Sequence, residues 1–169
     1  MKIIQAMKLI KSNKEKIADL IQKVRNNSAY TSIETPPYDD AKAIVRGWLQ
    51  SIHDIGQENI KLQIAIAKTN MATSVTIELG GVQVTKTIAE WVWRRREYAT
   101  LDFTAVSSLT DRGIKEGSTK LPTGDSMDIK IVRNYDVEER DKLVALYRAE
   151  PSIIDSALEV VNAVTDLVE

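Results

Sequence analysis

The chain carries Ser74-Val-Thr-Ile-Glu-Leu79, then Gly80-Gly81, then Val82-Gln-Val-Thr-Lys-Thr87. Two β-branched runs separated by two glycines are a strong signal for a β-hairpin with a type I′ turn. Such a turn needs positive φ at both central residues, which glycine adopts at no steric cost. The turn sets the register, so we expect Leu79 opposite Val82, Ile77 opposite Val84 and Val75 opposite Lys86. One face of the hairpin is then apolar, and the other carries Thr76, Glu78, Gln83 and Thr85.

Two long amphipathic helices are predicted on the N-terminal side of the hairpin, over residues 2–26 and about 39–68. Both repeat an apolar side chain every seven positions, at Ile3, Ile10, Ile17 and Val24, and at Ala41, Trp48, Ile55 and Leu62. Matching periods of this kind are typical of coiled-coil seams, so we expect an antiparallel pair. Asn13 falls inside the first seam, where a polar residue can set the register. Residues 27–38, which include Pro36-Pro37, are predicted to form the connecting loop.

A third helix is predicted from residue 87 to about 109. Thr87-Ile-Ala-Glu90 has the form of a capping box, which marks a helix start, and Thr85 is an alternative cap. Arg95 and Asp102 lie seven apart on the apolar stripe of this helix, so we expect them to be partly buried partners across an interface. Arg94-Arg95-Arg96 resembles a basic patch, but consecutive helical residues point about 100° apart and cannot form one cluster.

The C-terminal third is predicted to be a loop, a short strand and two helical segments. Residues 110–126 are polar and rich in Gly and Pro, hence an exposed loop. The run 127–133 could add a third short strand to the hairpin. A helix is predicted to start at Asp136 and to break or kink at Pro151, followed by a terminal amphipathic helix over 152–168.

These elements predict a single, mainly α domain spanning residues 1–169. Its architecture would be an antiparallel bundle of long helices with the β-hairpin at 74–87 inserted between the second and third helices. A chain of 169 residues is long enough to bury a core without disulfides or metals.

Composition argues against several classes of function. Lys and Arg number 23 against 24 Asp and Glu, so the near-neutral charge does not favour binding to nucleic acid or an anionic membrane. The chain has no cysteine and one histidine, His53, so we expect no metal, no cofactor and no catalytic residue. No apolar run approaches the roughly 18 residues that a membrane span needs. We expect a cytoplasmic protein, or a virion protein if the gene is carried by a phage.

Three stretches give the chain a likeness to a known family. They are Lys68-Thr-Asn-Met-Ala-Thr73, the segment from Gly81 to Ala89, and Ile154-Asp155 with Leu158-Glu159, Asn162 and Thr165-Asp166-Leu167. In these stretches and in element order, the chain resembles the septicolysin-like family of small bacterial and phage helical proteins. It departs from the family at Trp91 and Val92, where relatives carry an Arg-Asp pair, and at Ala163, where they carry Trp. The resemblance implies an oligomeric helical bundle with a hairpin and implies no known reaction.

The expected function is therefore that of a non-enzymatic structural or assembly protein that forms a homo-oligomer through its helical seams. Trp91 and Trp93 would point about 160° apart on a helix, more than one intrachain partner readily covers. Gly47 and Gly56 inside the second helix could let another helix approach closely. The residues expected at the interface are Ile3, Ile10, Ile17, Trp48, Trp91, Trp93 and Arg95.

Other settings and functions stay open. The assembly could be a capsid- or tail-associated phage component with other virion proteins as partners, as the family's distribution suggests. The alternatives are a membrane-active septicolysin-like protein and a hydrolase whose site is not recognisable.

Overall fold

The computed structural model describes residues 1–168, and its order of elements confirms a mainly helical fold with a β-hairpin between the second and third helices. The helices are α1 (Ile3–Asn26), α2 (Ala41–Ala72), α3 (Ile88–Trp93), α4 (Ala99–Ser107) and α5 (Val137–Val164). A π-helical turn (Arg94–Tyr98) joins α3 to α4. The strands are β1 (Ser74–Leu79), β2 (Val82–Thr87), β3 (Gly117–Lys120) and β4 (Ser126–Ile129).

Contacts group these elements into two units, where the sequence predicted one domain. The α1–α2 unit comprises residues 1–74 and the C-terminal segment from Leu158. The hairpin unit comprises Val75–Ala157. Each is described separately below.

The α1–α2 unit is built on the predicted antiparallel helix pair. Asn13 of α1 is 2% exposed, and its amide nitrogen donates to Oδ1 of Asn59 at 3.0 Å and to Oε2 of Glu58 at 3.2 Å, both on α2. A buried amide is costly unless it is hydrogen-bonded, so this contact favours one register of the two helices. The helix α2 continues to Ala72, four residues beyond the predicted end.

The two ends of the described chain are joined within the same unit. Lys2 and Asp166 form an antiparallel β-bridge, and the Ile3 amide donates to the Thr165 carbonyl at 3.0 Å. The Lys2 ammonium also lies 2.6 Å from the Asp166 carboxylate and lowers the pKa of that carboxyl. A third contact joins the Val168 amide to Oγ1 of Thr69, a fully buried side chain near the end of α2. These contacts account for ordered backbone at both ends, where chains usually fray.

The hairpin forms as predicted, with positive φ at Gly80 (59°) and Gly81 (82°). Thr76 bonds to Thr85 across the strands, and Gln83 donates to Glu78, so the polar face lies where the two-residue turn places it. The opposite face is buried at Ile77, which is 4% exposed. Val82, next to the turn, is 62% exposed, so burial of the predicted apolar face does not reach the tip.

The third helix begins at Ile88 with the predicted capping box. The Glu90 amide donates to Oγ1 of Thr87, and the Glu90 carboxylate accepts the Thr87 amide at 2.7 Å. After Trp93 the helix widens into the π-helical turn before α4, which the sequence did not predict. A π turn accommodates one additional residue, and this changes which side chains share a face.

The capping box yields a testable pH dependence. The hydrogen bonds from the Thr87 amide and hydroxyl lower the pKa of Glu90, so its stabilising effect is complete above the ordinary carboxyl pKa. That effect is lost as the pH falls through the lowered, folded-state pKa. We expect Glu90→Gln to destabilise the protein at pH 7 and the difference from wild type to shrink on acidification. Urea unfolding between pH 7 and pH 3 measures the difference in free energy of unfolding between the variant and the wild type, and Glu15→Gln, at an exposed position, is the control. If that difference stays constant with pH, the capping box is not the source of the pH dependence.

The segment 110–133 differs from the prediction. It forms a second antiparallel hairpin, with Gly117 opposite Ile129 and Lys120 opposite Ser126, and this sheet is separate from β1–β2. The predicted loop thus contains β3, and the predicted third strand pairs with β3 rather than extending the first sheet. A bidentate ion pair between Arg133 and Asp111, with both bonds at 2.7 Å, closes the base of this hairpin.

The helix α5 runs uninterrupted through Pro151, so the predicted break is wrong. The predicted cap at its start is present, since the Glu139 amide donates to Oδ1 of Asp136. Proline removes one backbone hydrogen bond and crowds the preceding turn, but the residues beside it are firmly held: Glu150 is 2% exposed and Ile154 is fully buried. Packing on both sides therefore outweighs the local preference of proline.

Candidate interaction surface

The residues predicted to bring subunits together are mostly used within the chain itself. Ile3 is 1% exposed, and Ile10 and Ile17 are half-buried on the α1 face that also carries Asn13. Trp48 is half-buried and packs edge-to-face on Tyr38, with ring centroids 5.8 Å apart. None of these four presents a free seam for another subunit.

The two tryptophans of the third helix have different surroundings. Trp91 is fully buried, and its indole nitrogen donates to the Val75 carbonyl at 2.9 Å. It belongs to the core of the hairpin unit, which corrects its assignment to an interface. Trp93 is 55% exposed and therefore remains a candidate contact residue.

The predicted partnership of Arg95 with Asp102 is wrong. Arg94 pairs with Asp102, whereas Arg95 forms an exposed bidentate pair with Asp155 of α5. The reason is the π turn, which contains one residue more than an α-helical turn. Residues on the same face of the helix across this turn are therefore eight positions apart instead of seven. Asp102 consequently shares a face with Arg94 and not with Arg95.

Arg94 lies at the centre of a partly buried ion cluster. Its guanidinium donates to both carboxylate oxygens of Glu150, at 2.6 and 2.8 Å, and to Asp102, and it lies 5.7 Å from the ring centroid of Tyr147. The hydrogen bonds to Glu150 raise the pKa of Arg94 further above its ordinary value. Both Glu150 oxygens are engaged by the guanidinium. The cluster joins the π turn to α5.

The residues of the described chain offer no recognisable metal centre. Over residues 1–168, no group of three or more His, Cys, Asp or Glu could hold a metal ion. His53, on α2, is exposed. In the same range, no helix combines the length and the apolar character that crossing a membrane requires.

An extended apolar surface lies on α2, along a line of residues that we call the α2 outer face. The face consists of Leu49, His53, Gly56, Ile60, Ile64, Ala67 and Met71. At 3.6 residues per turn these positions fall within an arc of about 80° and extend over about 33 Å. The arc lies about 130° around the helix from the seam that packs on α1.

Large apolar side chains on this face are open to solvent. The exposed fractions are 53% for Leu49, 48% for Ile60, 52% for Ile64 and 71% for Met71. Monomeric proteins seldom leave contiguous apolar surface of this kind uncovered, because water contact with it is unfavourable. Of the residues on this face, the sequence indicated Gly56 as a position where another helix could approach closely, but it did not indicate that the four large apolar side chains are exposed.

Gly56 lies in the middle of the α2 outer face and has no steric role in its own chain. A Cβ atom added there would meet no atom within 4 Å. Glycine in a helix interior destabilises the helix by roughly 1 kcal/mol relative to alanine. The residue therefore leaves a shallow gap in the apolar line that the chain itself does not fill.

Comparison with protein-family models, with curated proteins and with solved structures found no match to this chain.

Proposed function

We propose that this protein is a non-enzymatic assembly protein whose α2 outer face binds a second copy of the same chain. The observation that carries the proposal is the line of exposed Leu49, Ile60, Ile64 and Met71 along one side of a 32-residue helix. A long, narrow apolar line on a regular helix suits another helix, because helices pack along such lines.

The chemistry of the face favours a protein partner over a charged ligand. Between Leu49 and Met71 the arc contains no Asp, Glu, Lys or Arg. Association through this face would remove apolar surface from water, which is favourable. It would bury no unpaired charge, which would oppose association.

A matched pair of variants tests the proposal. Ile60 is 48% exposed on the α2 outer face, and Ile33 is 94% exposed in the loop that precedes α2. Placing a carboxylate at position 60 would bury it in the contact, whereas at position 33 it stays in water. We expect sedimentation of the wild-type protein and of Ile33→Glu to show a mass above 18.9 kDa that rises with concentration. Ile60→Glu should sediment as a monomer.

Circular dichroism of each variant checks that the fold is retained. A wild-type protein that sediments as a single species of 18.9 kDa at micromolar concentration would overturn the proposal. An Ile60→Glu variant that keeps its oligomeric mass but no longer binds lipid vesicles would also overturn it, in favour of a membrane-active function.

A further inference from the structure

We infer that two copies of the chain pair through their α2 outer faces in antiparallel orientation, with the two-fold axis beside Ile60. The inference rests on the proposed function and adds the geometry of the contact. Two properties of the face support it: the sizes of its side chains and the charge at the N-terminal end of its arc.

Side-chain size is complementary in the antiparallel arrangement. A two-fold axis at Ile60 places Gly56 opposite Ile64 of the second copy, and His53 opposite Ala67 of the second copy. Each small residue thus faces a large one, and the gap at Gly56 receives an isoleucine side chain. Leu49 meets Met71 of the second copy at each end, and Ile60 meets its own counterpart at the axis. Interdigitation of large and small residues lets two helices pack without voids.

Charge at the N-terminal end of α2 opposes the parallel arrangement. Lys42 and Arg46 continue the same arc toward the N-terminus, and both are exposed. Parallel pairing would bring these cations beside their counterparts, and like charges at close range repel. In the antiparallel pair they lie at opposite ends of the contact.

The absence of cysteine from the sequence makes disulfide cross-linking a direct test. In the antiparallel pair, position 49 lies next to position 71 of the second copy and about 33 Å from its own counterpart. Disulfides form only between Cα atoms about 4.4–6.8 Å apart. We expect Leu49→Cys alone and Met71→Cys alone to give no cross-linked dimer on mild oxidation. A mixture of the two, with one protein labelled with heavy nitrogen, should give the mixed dimer by mass spectrometry.

Ile60→Cys, at the axis, is the control because it should cross-link to itself in either orientation. Self-cross-linking of Leu49→Cys would show parallel pairing and overturn the inference while leaving self-association intact. If Ile60→Cys also fails to cross-link and sedimentation finds only monomer, the proposed function fails with it. The two failures are therefore distinguishable.

Discussion

Replacing Trp91 with alanine should lower the free energy of unfolding by about 3–5 kcal/mol, the usual range for a buried aromatic side chain. Trp91 is the largest fully buried side chain of the described chain, and its removal leaves a cavity that neighbouring side chains cannot readily fill. The substitution also leaves the Val75 carbonyl without the indole hydrogen bond. Urea unfolding followed by circular dichroism measures the loss.

Trp93 supplies the matched control, since it has the same side chain two residues away but is 55% exposed. Trp93→Ala should change the free energy of unfolding by no more than about 0.5 kcal/mol, as surface substitutions generally do. Equal destabilisation by the two substitutions would contradict the described orientation of the third helix.

Replacing Arg94 with methionine should cost about 3–5 kcal/mol, because it leaves a buried carboxylate without its cation. Glu150 is 2% exposed and receives two hydrogen bonds from the Arg94 guanidinium. The double variant Arg94→Met with Glu150→Met should recover much of the lost stability, since an apolar pair can replace a buried ion pair.

The neighbouring arginine tests whether burial is the cause. Arg95 makes an ion pair with Asp155 of similar geometry, but both side chains are about half exposed. Arg95→Met should therefore destabilise the protein far less than Arg94→Met. Urea unfolding of the four proteins compares them directly, and a double variant less stable than Arg94→Met alone would show that Glu150 is not the source of the loss.

Elements whose conformation is decided by neighbouring residues were predictable from the sequence. Gly80-Gly81 permits a turn that few other residue pairs adopt, so the bounds of both strands of the first hairpin follow from it. Thr87 and Glu90 cap a helix through contacts three residues apart, so its start was also correct. The seven-residue period of α1 likewise gave its bounds to within a residue.

Elements that depend on distant contacts were not predictable. The π turn is held by Arg94 contacting Glu150, 56 residues away, and nothing within residues 87–109 indicates it. Because the helix was assumed to keep a period of 3.6 residues, the ion pair was assigned to Arg95. Pro151 was expected to break or kink a helix for the same reason. The local preference of proline is evident in the sequence, whereas the packing of Glu150 and Ile154 that keeps the helix uninterrupted is not. Exposure of the α2 outer face depends on what the rest of the chain covers, which periodicity alone does not determine.

The junction of the chain ends has a consequence for the order of events during synthesis. Lys2 makes contacts to Val164 and Asp166 that span 162 and 164 positions, so the α1–α2 unit is complete only when the last turn of α5 has left the ribosome. The hairpin unit is one continuous segment, Val75–Ala157, so all of its residues have been synthesised before that point. The α1–α2 unit is therefore synthesised first but completes its fold last. For most of translation, α1 lacks the C-terminal segment that contacts its first turn.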